Sequence, residues 1–549
     1  MNTRAGRRGY GLEALRGDLF GGVTAAVVAL PLALAFGVAS GAGAIAGLYG
    51  AIAVGFFAAV FGGTPAQVSG PTGPMTVVMG AVVATHAGNM AEAFAIVTLG
   101  GLIQILLGVT RVGKYVTYTP YSVVSGFMTG IGLIIMIVQS LPFLGLPTAQ
   151  GGVIGTIAVW RGIDWQGLDR GVIALAVGAF ALVVLWPKRL QRLIPAPLAV
   201  LVVGTLIARV FLDGAPVVGA VPEGLPTIVL PSIDAARLPQ ILQSAFILAL
   251  LGAIDSLLTS LIADSVTRTR HDSNRELIGQ GIGNAFAGLI GGLPGAGATM
   301  RTLVNIRSGG RTPVSGALHA LILLAFMLGL GPVVSHVPHA VLAAILMKVG
   351  WDIIDWGYLK RFFSAPRGQL FIMLVTLALT VFVDLIMAVG VGIILASLSS
   401  TRRLAEQQLK TVEQGSLPEE LGSLTEDERA LLSGAGGRVL VTILNGTYSY
   451  ASARDLARRA SPRLTGIEVC IYDFTSVGYM DTSAALAVQE LMVLTHENGQ
   501  KALVSGVSKG LAKTLDGLKA LPHVGKDHRF ETRLAAIEHA VAMVRDQAA

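Results

Sequence analysis

The stretch Leu293-Pro294-Gly295-Ala296-Gly297-Ala298-Thr299-Met300-Arg301 lies where hydropathy places a membrane span, yet its proline and glycines rule out a continuous helix. Far upstream stands a second stretch of the same kind, Pro65-Ala66-Gln67-Val68-Ser69-Gly70-Pro71-Thr72-Gly73-Pro74. In each, small residues and a hydroxyl precede an apolar run that can resume as a helix. Lipid cannot hydrogen-bond freed amides, so irregular backbone at membrane depth persists only inside protein or along a cavity. Both breaks are therefore expected to line one cavity, with the helix starts after Gly73 and Ala298 close together and Thr72 and Thr299 facing it. A helix restarting there presents unpaired N–H groups and a partial positive charge of about half a unit, which suits an anion.

Composition agrees with a membrane setting. The 549 residues are 53% apolar and 13% charged, with a mean hydropathy of +0.68, against roughly 25% charged residues in soluble domains. The lone Cys470 excludes an internal disulfide and a cysteine zinc cluster, and its apolar neighbours read as a buried thiol. Arg4, Arg7 and Arg8 precede an apolar run from Leu19 to Ser40 that is too long for a signal-peptide core and has no clear cleavage site, so it is expected to stay as the first span. The net charge of +7 is scattered over many loops rather than gathered on one face, which argues against a nucleic-acid partner.

At about 20 apolar residues per crossing, spans are expected near 18–40, 43–62, 65–86, 92–110, 119–140, 171–186 and 196–212. A second set follows near 238–263, 275–292, 293–307, 312–334, 338–353, 368–384 and 385–401. With the N-terminus inside, the cytoplasmic loops hold Arg111, Lys114, Lys188, Arg189, Arg192, Arg268, Arg270, Arg275, Arg307, Arg311, Lys360, Arg361, Arg367, Arg402 and Arg403. The outer loops hold Arg161, Arg170 and Arg237. This asymmetry obeys the positive-inside rule. Seven spans per half is an odd number, so the second half is inverted and the two breaks, third in each half, approach the midplane from opposite sides. An inverted pair of interrupted helices points to a secondary-transporter site.

The expected division is a cytoplasmic N-terminus over 1–17, a transmembrane domain over 18–401 (repeat one 18–212, repeat two 238–401), an acidic linker over 402–436 and a soluble domain over 437–549. In the last, strands are expected at 439–444, 467–474 and 502–506. Helical patterns at 450–460, 482–497, 509–520 and 532–545 alternate with them, which implies an α/β layer fold.

Few polar residues sit within the spans. Asp255 lies in the apolar run Ala245–Ile262, one turn before Thr259. A carboxylate there costs about 2.5–3.5 kcal/mol and by default marks function. It either caps the nearby broken backbone or, with Thr259 and carbonyls near Gly297 to Thr299, supplies hard oxygens to a cation or handles a proton. Arg301 falls in the first turn of the resumed helix, against the dipole. Either a substrate anion or Asp255 offsets it, or it reaches the cytoplasmic interface. His319 reads as a packing residue. No metalloprotease, P-loop or nucleophile-elbow pattern occurs, and no carboxylate pair offers acid/base work, so an enzyme is not expected. In the soluble domain Asp481 is placed to cap a helix beginning at Thr482-Ser483; either capping alone explains the aspartate, or a hydroxyl at this helix start, Ser483, is a phosphorylation switch.

Together, Gly47-Leu48-Tyr49-Gly50, Pro71-Thr72-Gly73-Pro74, the run Gly295 to Arg301, Gly309-Gly310-Arg311-Thr312 and the terminal Asp481-Thr482-Ser483 make the chain resemble the SulP family of anion transporters. From Leu30 to Ser40 and from Gly295 to Thr302 it is most similar to the BicA-type sodium-dependent bicarbonate transporters of that family. The resemblance implies an α-helical membrane protein of about fourteen spans in two inverted repeats, with core and gate domains and a cytoplasmic C-terminal STAS domain. It implies Thr72, Ala298 and Thr299 at the anion, and Asp255, Thr259, Gly297 and Thr299 near sodium. With the helix-start argument, the expected substrate set is Thr72, Gly73, Ala298, Thr299 and Arg301. Many sulfate and chloride-exchanging relatives have Gln after the first-span proline and Glu in the eighth span; here Leu32 and Asp255 stand there, which points away from sulfate and exchange. Relatives with a phosphorylated STAS motif have Gly where this chain has Ala484.

The expected function is secondary active uptake of bicarbonate with co-transported sodium across the cytoplasmic (inner) membrane. The protein is expected to be a homodimer through its STAS domains, with no organic cofactor. Two alternatives stand: a SulP transporter of sulfate or a dicarboxylate, proton-coupled or exchanging, and a membrane-anchored STAS regulatory protein. The breaks speak against a mere anchor.

Overall fold

The computed structural model describes residues 11–546 apart from 87, 117–119, 150, 188, 191–193, 213, 220–225, 232, 362–363, 365, 384 and 461–465. Arg4, Arg7, Arg8, Lys188 and Arg192 thus lie outside the described residues. The chain forms two compact units, Met1–Ile394 and Leu395–Ala549.

The first unit is helical. Its first half runs α1 (Leu12–Ala39), α2 (Ala44–Phe61), a two-residue strand β1 (Ser69–Gly70), α3 (Gly73–Thr85), α4 (Met90–Val109), the short α5 (Gly113–Val116), α6 (Tyr121–Phe143), the short α7 (Gly152–Trp160), α8 (Arg170–Leu185) and α9 (Ala196–Phe211). The second half repeats the plan: α10 (Leu238–Thr267), α11 (Ser273–Leu289), strand β2 (Ala296–Gly297), α12 (Thr299–Arg307), α13 (Pro313–Val334), α14 (His339–Ile353), the short α15 (Trp356–Lys360), α16 (Arg367–Phe382) and α17 (Leu385–Lys410). A helix stands at each expected span. On length and composition alone α1, α2, α4, α6 and α10 are long and apolar enough to cross a membrane. The third element of each half is cut short: α3 has 13 residues and α12 has 9. At about 1.5 Å per residue each covers roughly half to two thirds of a ~30 Å hydrocarbon core.

Packing sorts these helices into two groups. α1 to α4 pack with α10 to α13, while α6, α8 and α9 pack with α14 and α16. The groups match the core and gate division. Close approach within the first comes from small residues, most clearly where α4 crosses α11: a Cβ on Gly281 would lie 2.6 Å from the carbonyl oxygen of Gly101. The Gly309-Gly310-Arg311-Thr312 motif is tied back to α1. Buried Asp18 accepts from the Arg311 N–H at 2.8 Å and the Thr312 N–H at 3.0 Å.

The second unit is an α/β domain. Its sheet has the order β3 (Val412–Gly415), β4 (Val439–Tyr448), β5 (Val469–Met480), β6 (Lys501–Ser505) and β7 (Arg529–Phe530). β3 pairs antiparallel with β4, and the other pairings are parallel. Alternation along the strands divides the core. Leu440, Leu444, Cys470, Tyr472 and Val504 face α19 (Tyr450–Ala460), α20 (Thr482–Glu497) and α21 (Lys509–Gly517). Val439, Val441, Ile443, Ile471 and Leu503 pack with α18 (Glu426–Ser433) and α22 (Arg533–Asp546). Both faces are covered, which is why these strands read as near-continuous apolar runs. Cys470 is fully buried, its Sγ 3.6 Å from Gln500 Oε1.

Two expectations need correcting here. The boundary at 401/402 falls inside α17, which runs on unbroken to Lys410. The stretch expected as linker, 402–436, builds into the domain: β3 is the edge strand, and Leu421, Leu424, Leu432 and Ala435 are core residues. Its acidic residues concealed this. Glu413 and Glu420 instead satisfy local donors, accepting from the N–H groups of Ser423 and Ser416 respectively.

Candidate functional site

The two breaks meet. β1 and β2 pair antiparallel, with Ser69 opposite Gly297 and Gly70 opposite Ala296, and both strands are buried. The Ala298 N–H adds a bond to Val68 O at 2.9 Å, and the Val68 N–H donates to Thr302 Oγ1 at 3.0 Å. This short ladder satisfies backbone groups that lipid would leave unmet. From it α3 and α12 depart. Neither Thr72 nor Ala298 caps its helix with a side chain, which leaves the N–H groups of Gly73 and Met75 in α3, where Pro74 has none, and those of the first turn of α12 without that partner.

Around the crossing the oxygens converge. Asp255, buried in the middle of α10, accepts from the Thr72 hydroxyl at 2.8 Å through Oδ2. One turn later the Thr259 hydroxyl lies 2.9 Å from Gly297 O and 2.7 Å from Thr299 Oγ1. One carboxylate, one carbonyl and three hydroxyls drawn from both halves make a hard-oxygen set. Such donors suit an alkali or alkaline-earth cation rather than a transition metal, and among the described residues no trio of His, Cys, Asp or Glu converges. A small cavity lies beside Asp255, walled by Phe127 and Met128 of α6, Leu251 and Leu258 of α10 and Val389 of α17.

Arg301 is turned inward. It is only 2% exposed, which corrects the alternative that it reaches the cytoplasmic interface. Nη2 donates to Pro71 O at 2.5 Å, while Nη1 is buried without a hydrogen-bond partner among the described residues. Gly70, with φ +148°, makes room for it, since a Cβ there would lie 2.8 Å from Nη1. A guanidinium half satisfied by a carbonyl and half unsatisfied, beside two uncapped helix starts, has the donors and the charge that anion binding requires.

The structure thus brings Thr72, Gly73, Asp255, Thr259, Gly297, Ala298, Thr299 and Arg301 into one neighbourhood. Gly73 is also where α3 meets the other helix group: a Cβ there would lie 2.8 Å from Ile135 and 2.9 Å from Ile353. Ser483 belongs to the second unit, exposed at the start of α20, where Asp481 caps by accepting from the Ala484 N–H at 2.9 Å. His319 is fully buried in α13.

Several residues escaped the sequence reading. Ser256 Oγ accepts from the Gly297 N–H at 3.1 Å. Asn284 holds Gly295 at both ends, through its N–H at 2.7 Å and its carbonyl at 3.0 Å. Glu276 accepts from the side chains of Gln67 and Gln280. The available signal was a spacing: Glu276, Gln280 and Asn284 recur every fourth residue, marking one polar face on a helix otherwise rich in small and apolar residues.

Comparison with known proteins shows the family. Residues 15–376 match the model of the sulfate permease family and 435–536 that of the STAS domain. The chain is 44% identical to the bicarbonate transporter BicA of a Picosynechococcus species, over 96% of this chain and 95% of that one. It is 29% identical to the putative sulfate transporter YvdB of Bacillus subtilis, over 95% and 97%. Among solved structures, the transmembrane domain of a cyanobacterial BicA matches with TM-score 0.66 and 50% identity, over 69% of this chain and 98% of that one. SLC26A9 matches with TM-score 0.79 at 19% identity, over 97% and 91%, a likeness of fold. With most of its length matched by the family model and two broken helices crossed at its centre, this chain belongs to the sulfate permease (SulP) family and ends in a STAS domain.

Proposed function

We propose that this protein takes up bicarbonate together with sodium across the cytoplasmic membrane. The observation that carries the reading is the pairing, at one buried crossing, of a half-satisfied Arg301 and two uncapped helix starts with the oxygens of Asp255, Thr259, Gly297 and Thr299. The anion is held by the helix starts at Gly73 and Thr299, by Arg301 Nη1 and, once a cation takes its place at Asp255, by the Thr72 hydroxyl. The cation is held by the four oxygens behind it. Two helix N-termini supply about one unit of positive charge and Arg301 a second, while Asp255 subtracts one when no cation is bound, so the site is left with about one net positive unit and favours a small singly charged anion. Sodium cancels the Asp255 charge and raises anion affinity, and by linkage the anion raises sodium affinity by the same factor. The names of the BicA relatives support bicarbonate as the anion.

Transport then follows from motion of the α1–α4/α10–α13 group, which carries the site, against the α6/α8/α9/α14/α16 group. The contact of Gly73 with Ile135 and Ile353, and the cavity beside Asp255, mark where the two separate. The assembly is a homodimer to which the STAS domain contributes, with that domain and the N-terminus cytoplasmic. Uptake of labelled bicarbonate, sulfate and fumarate by the purified protein in liposomes, with and without an inward sodium gradient, tests the reading. Sodium-stimulated bicarbonate uptake is expected. Sulfate outcompeting bicarbonate, or anion affinity indifferent to sodium, would move the assignment to a sulfate or dicarboxylate carrier.

A further inference from the structure

We infer that Glu276 is a positioning carboxylate that sets the affinity of the cation site from behind, an inference that rests on Gly297 O being one of the cation's oxygens. Glu276 is 1% exposed in the first turn of α11 and takes four hydrogen bonds. Its Oε1 accepts from Gln67 Nε2 at 2.7 Å and Gln280 Nε2 at 2.8 Å. Its Oε2 accepts from the backbone N–H groups of Gly63 and Thr64, each at 2.9 Å. All four partners are N–H donors. Four converging N–H donors match the acceptor capacity of an ionised carboxylate. Its charge is spread over four donors and the positive end of α11.

Two arms run from Glu276 to the crossing. Along one, Gln67 is held by its amide nitrogen, accepts from the Ser260 hydroxyl at 3.0 Å, and lays its carboxamide against Gly297, where a Cβ would fall 2.7 Å from Gln67 Cδ. Along the other, Gln280 donates to Ser69 Oγ at 2.6 Å, and Ser69 is the residue paired opposite Gly297. Glu276 therefore fixes both neighbours of the residue whose carbonyl accepts from Thr259. It touches neither ion. It governs how closely that carbonyl and the two hydroxyls beside it can close on a cation, as residues behind a metal ligand do.

The test uses the full-length protein in liposomes, with transport kinetics read beside backbone amide hydrogen exchange. In Glu276→Gln the new amide nitrogen faces the amide nitrogens of Gln67 and Gln280, so at least one must turn over. The half-saturating sodium concentration is expected to rise about tenfold, the scale of outer-shell changes at metal sites, with the maximal rate changed less than about twofold. Exchange should quicken in 63–70 and 293–298 and stay unchanged in α13 and α14. The exchanged pair Gln67→Glu with Glu276→Gln restores one donor–acceptor contact and should recover most of the sodium affinity. An unchanged sodium half-saturation in Glu276→Gln, or no recovery in the pair, overturns the inference. Should Glu276→Gln not accumulate in the membrane, Gln67→Leu and Gln280→Leu each cut one arm. Both must raise the half-saturation, and wild-type values in both overturn the inference. If the wild-type protein needs no sodium, the cation reading falls by itself. The role of Glu276 is then judged by exchange at 63–70 and 293–298 together with anion half-saturation, and wild-type values for both overturn it.

Discussion

The two breaks share a backbone and differ in what they present. Each crosses the other as an antiparallel strand and gives way to an uncapped helix. The first contributes Thr72, whose hydroxyl goes to Asp255, and Pro71, whose carbonyl receives Arg301. The second contributes the Gly297 carbonyl and the Thr299 hydroxyl, both turned to Thr259, and the Arg301 guanidinium itself. Repetition explains why a polar pocket exists in the hydrocarbon region. Only the asymmetry of side chains sets a guanidinium on one side of the crossing and a cluster of oxygens on the other, as the proposed pairing of ions of opposite sign requires. A symmetric pocket would treat both halves as anion sites.

The strongest way to break this comparison is at the carboxylate. Asp255→Asn keeps volume and removes charge, and it should lower sodium-driven uptake by on the order of 10- to 100-fold, since a bond to a charged group is worth ~1.5–3 kcal/mol. Membrane insertion and size-exclusion behaviour should match the wild type; unchanged uptake would leave Asp255 a structural cap. Arg301→Gln comes next. It removes the charge facing the anion but leaves the cation oxygens, so the anion half-saturation should rise about tenfold. Arg301→Lys should recover only part of this because it lacks the planar fork. An effect on sodium alone would reverse the roles assigned to the two breaks.

The paired hydroxyls sharpen the contrast. Thr299→Val should weaken sodium by roughly fivefold and Thr72→Val should weaken the anion similarly, each losing one hydrogen-bonding group worth ~1 kcal/mol. Half-saturation constants for both ions in both variants would show whether the halves divide the work. The smallest effect is expected at Ser483→Ala. The start of α20, unlike those of α3 and α12, is already capped by Asp481. Uptake within about twofold of wild type is expected, the scale of a surface substitution.

The soluble domain offers a separate pH test. Burial alone would raise Glu428, but hydrogen bonds from Arg533 and the Thr425 backbone, with the Arg533 charge, hold it below the ordinary glutamate range. A carboxylate depressed in the folded state contributes stability above its unfolded value, about 4.3. That contribution is lost as pH falls through the lower folded value. Arg533→Gln should therefore lower the melting temperature of the domain at neutral pH and flatten its acid dependence below about pH 4.3. A parallel shift at every pH would assign Arg533 to packing alone.

What the residues announced and what they hid follow one rule. Hydropathy exposes spans because a bilayer imposes a length, and proline with glycine exposes breaks because each disturbs a helix; the crossing of β1 with β2 follows from an odd span count. Glu276, Gln67 and Gln280 were hidden because their partners lie more than two hundred residues away in sequence or on one turn of a helix that otherwise reads as small and apolar. The inward turn of Arg301 was undecidable from order along the chain, since α12 is short enough for its side chain to reach either an interface or the centre. β3 was hidden because an edge strand pairs on one side only and tolerates Glu413 and Gln414.

Cys470 has a practical use beyond its packing. Burial pushes its thiol up to about 12, and it is fully enclosed in the second unit. The native chain is therefore nearly silent toward thiol reagents at neutral pH. A single cysteine introduced at Val124 or Leu258, on the cavity beside Asp255, would answer alone to a membrane-impermeant maleimide. The side of the membrane from which it is reached, with and without each ion, would report directly which way the protein is open.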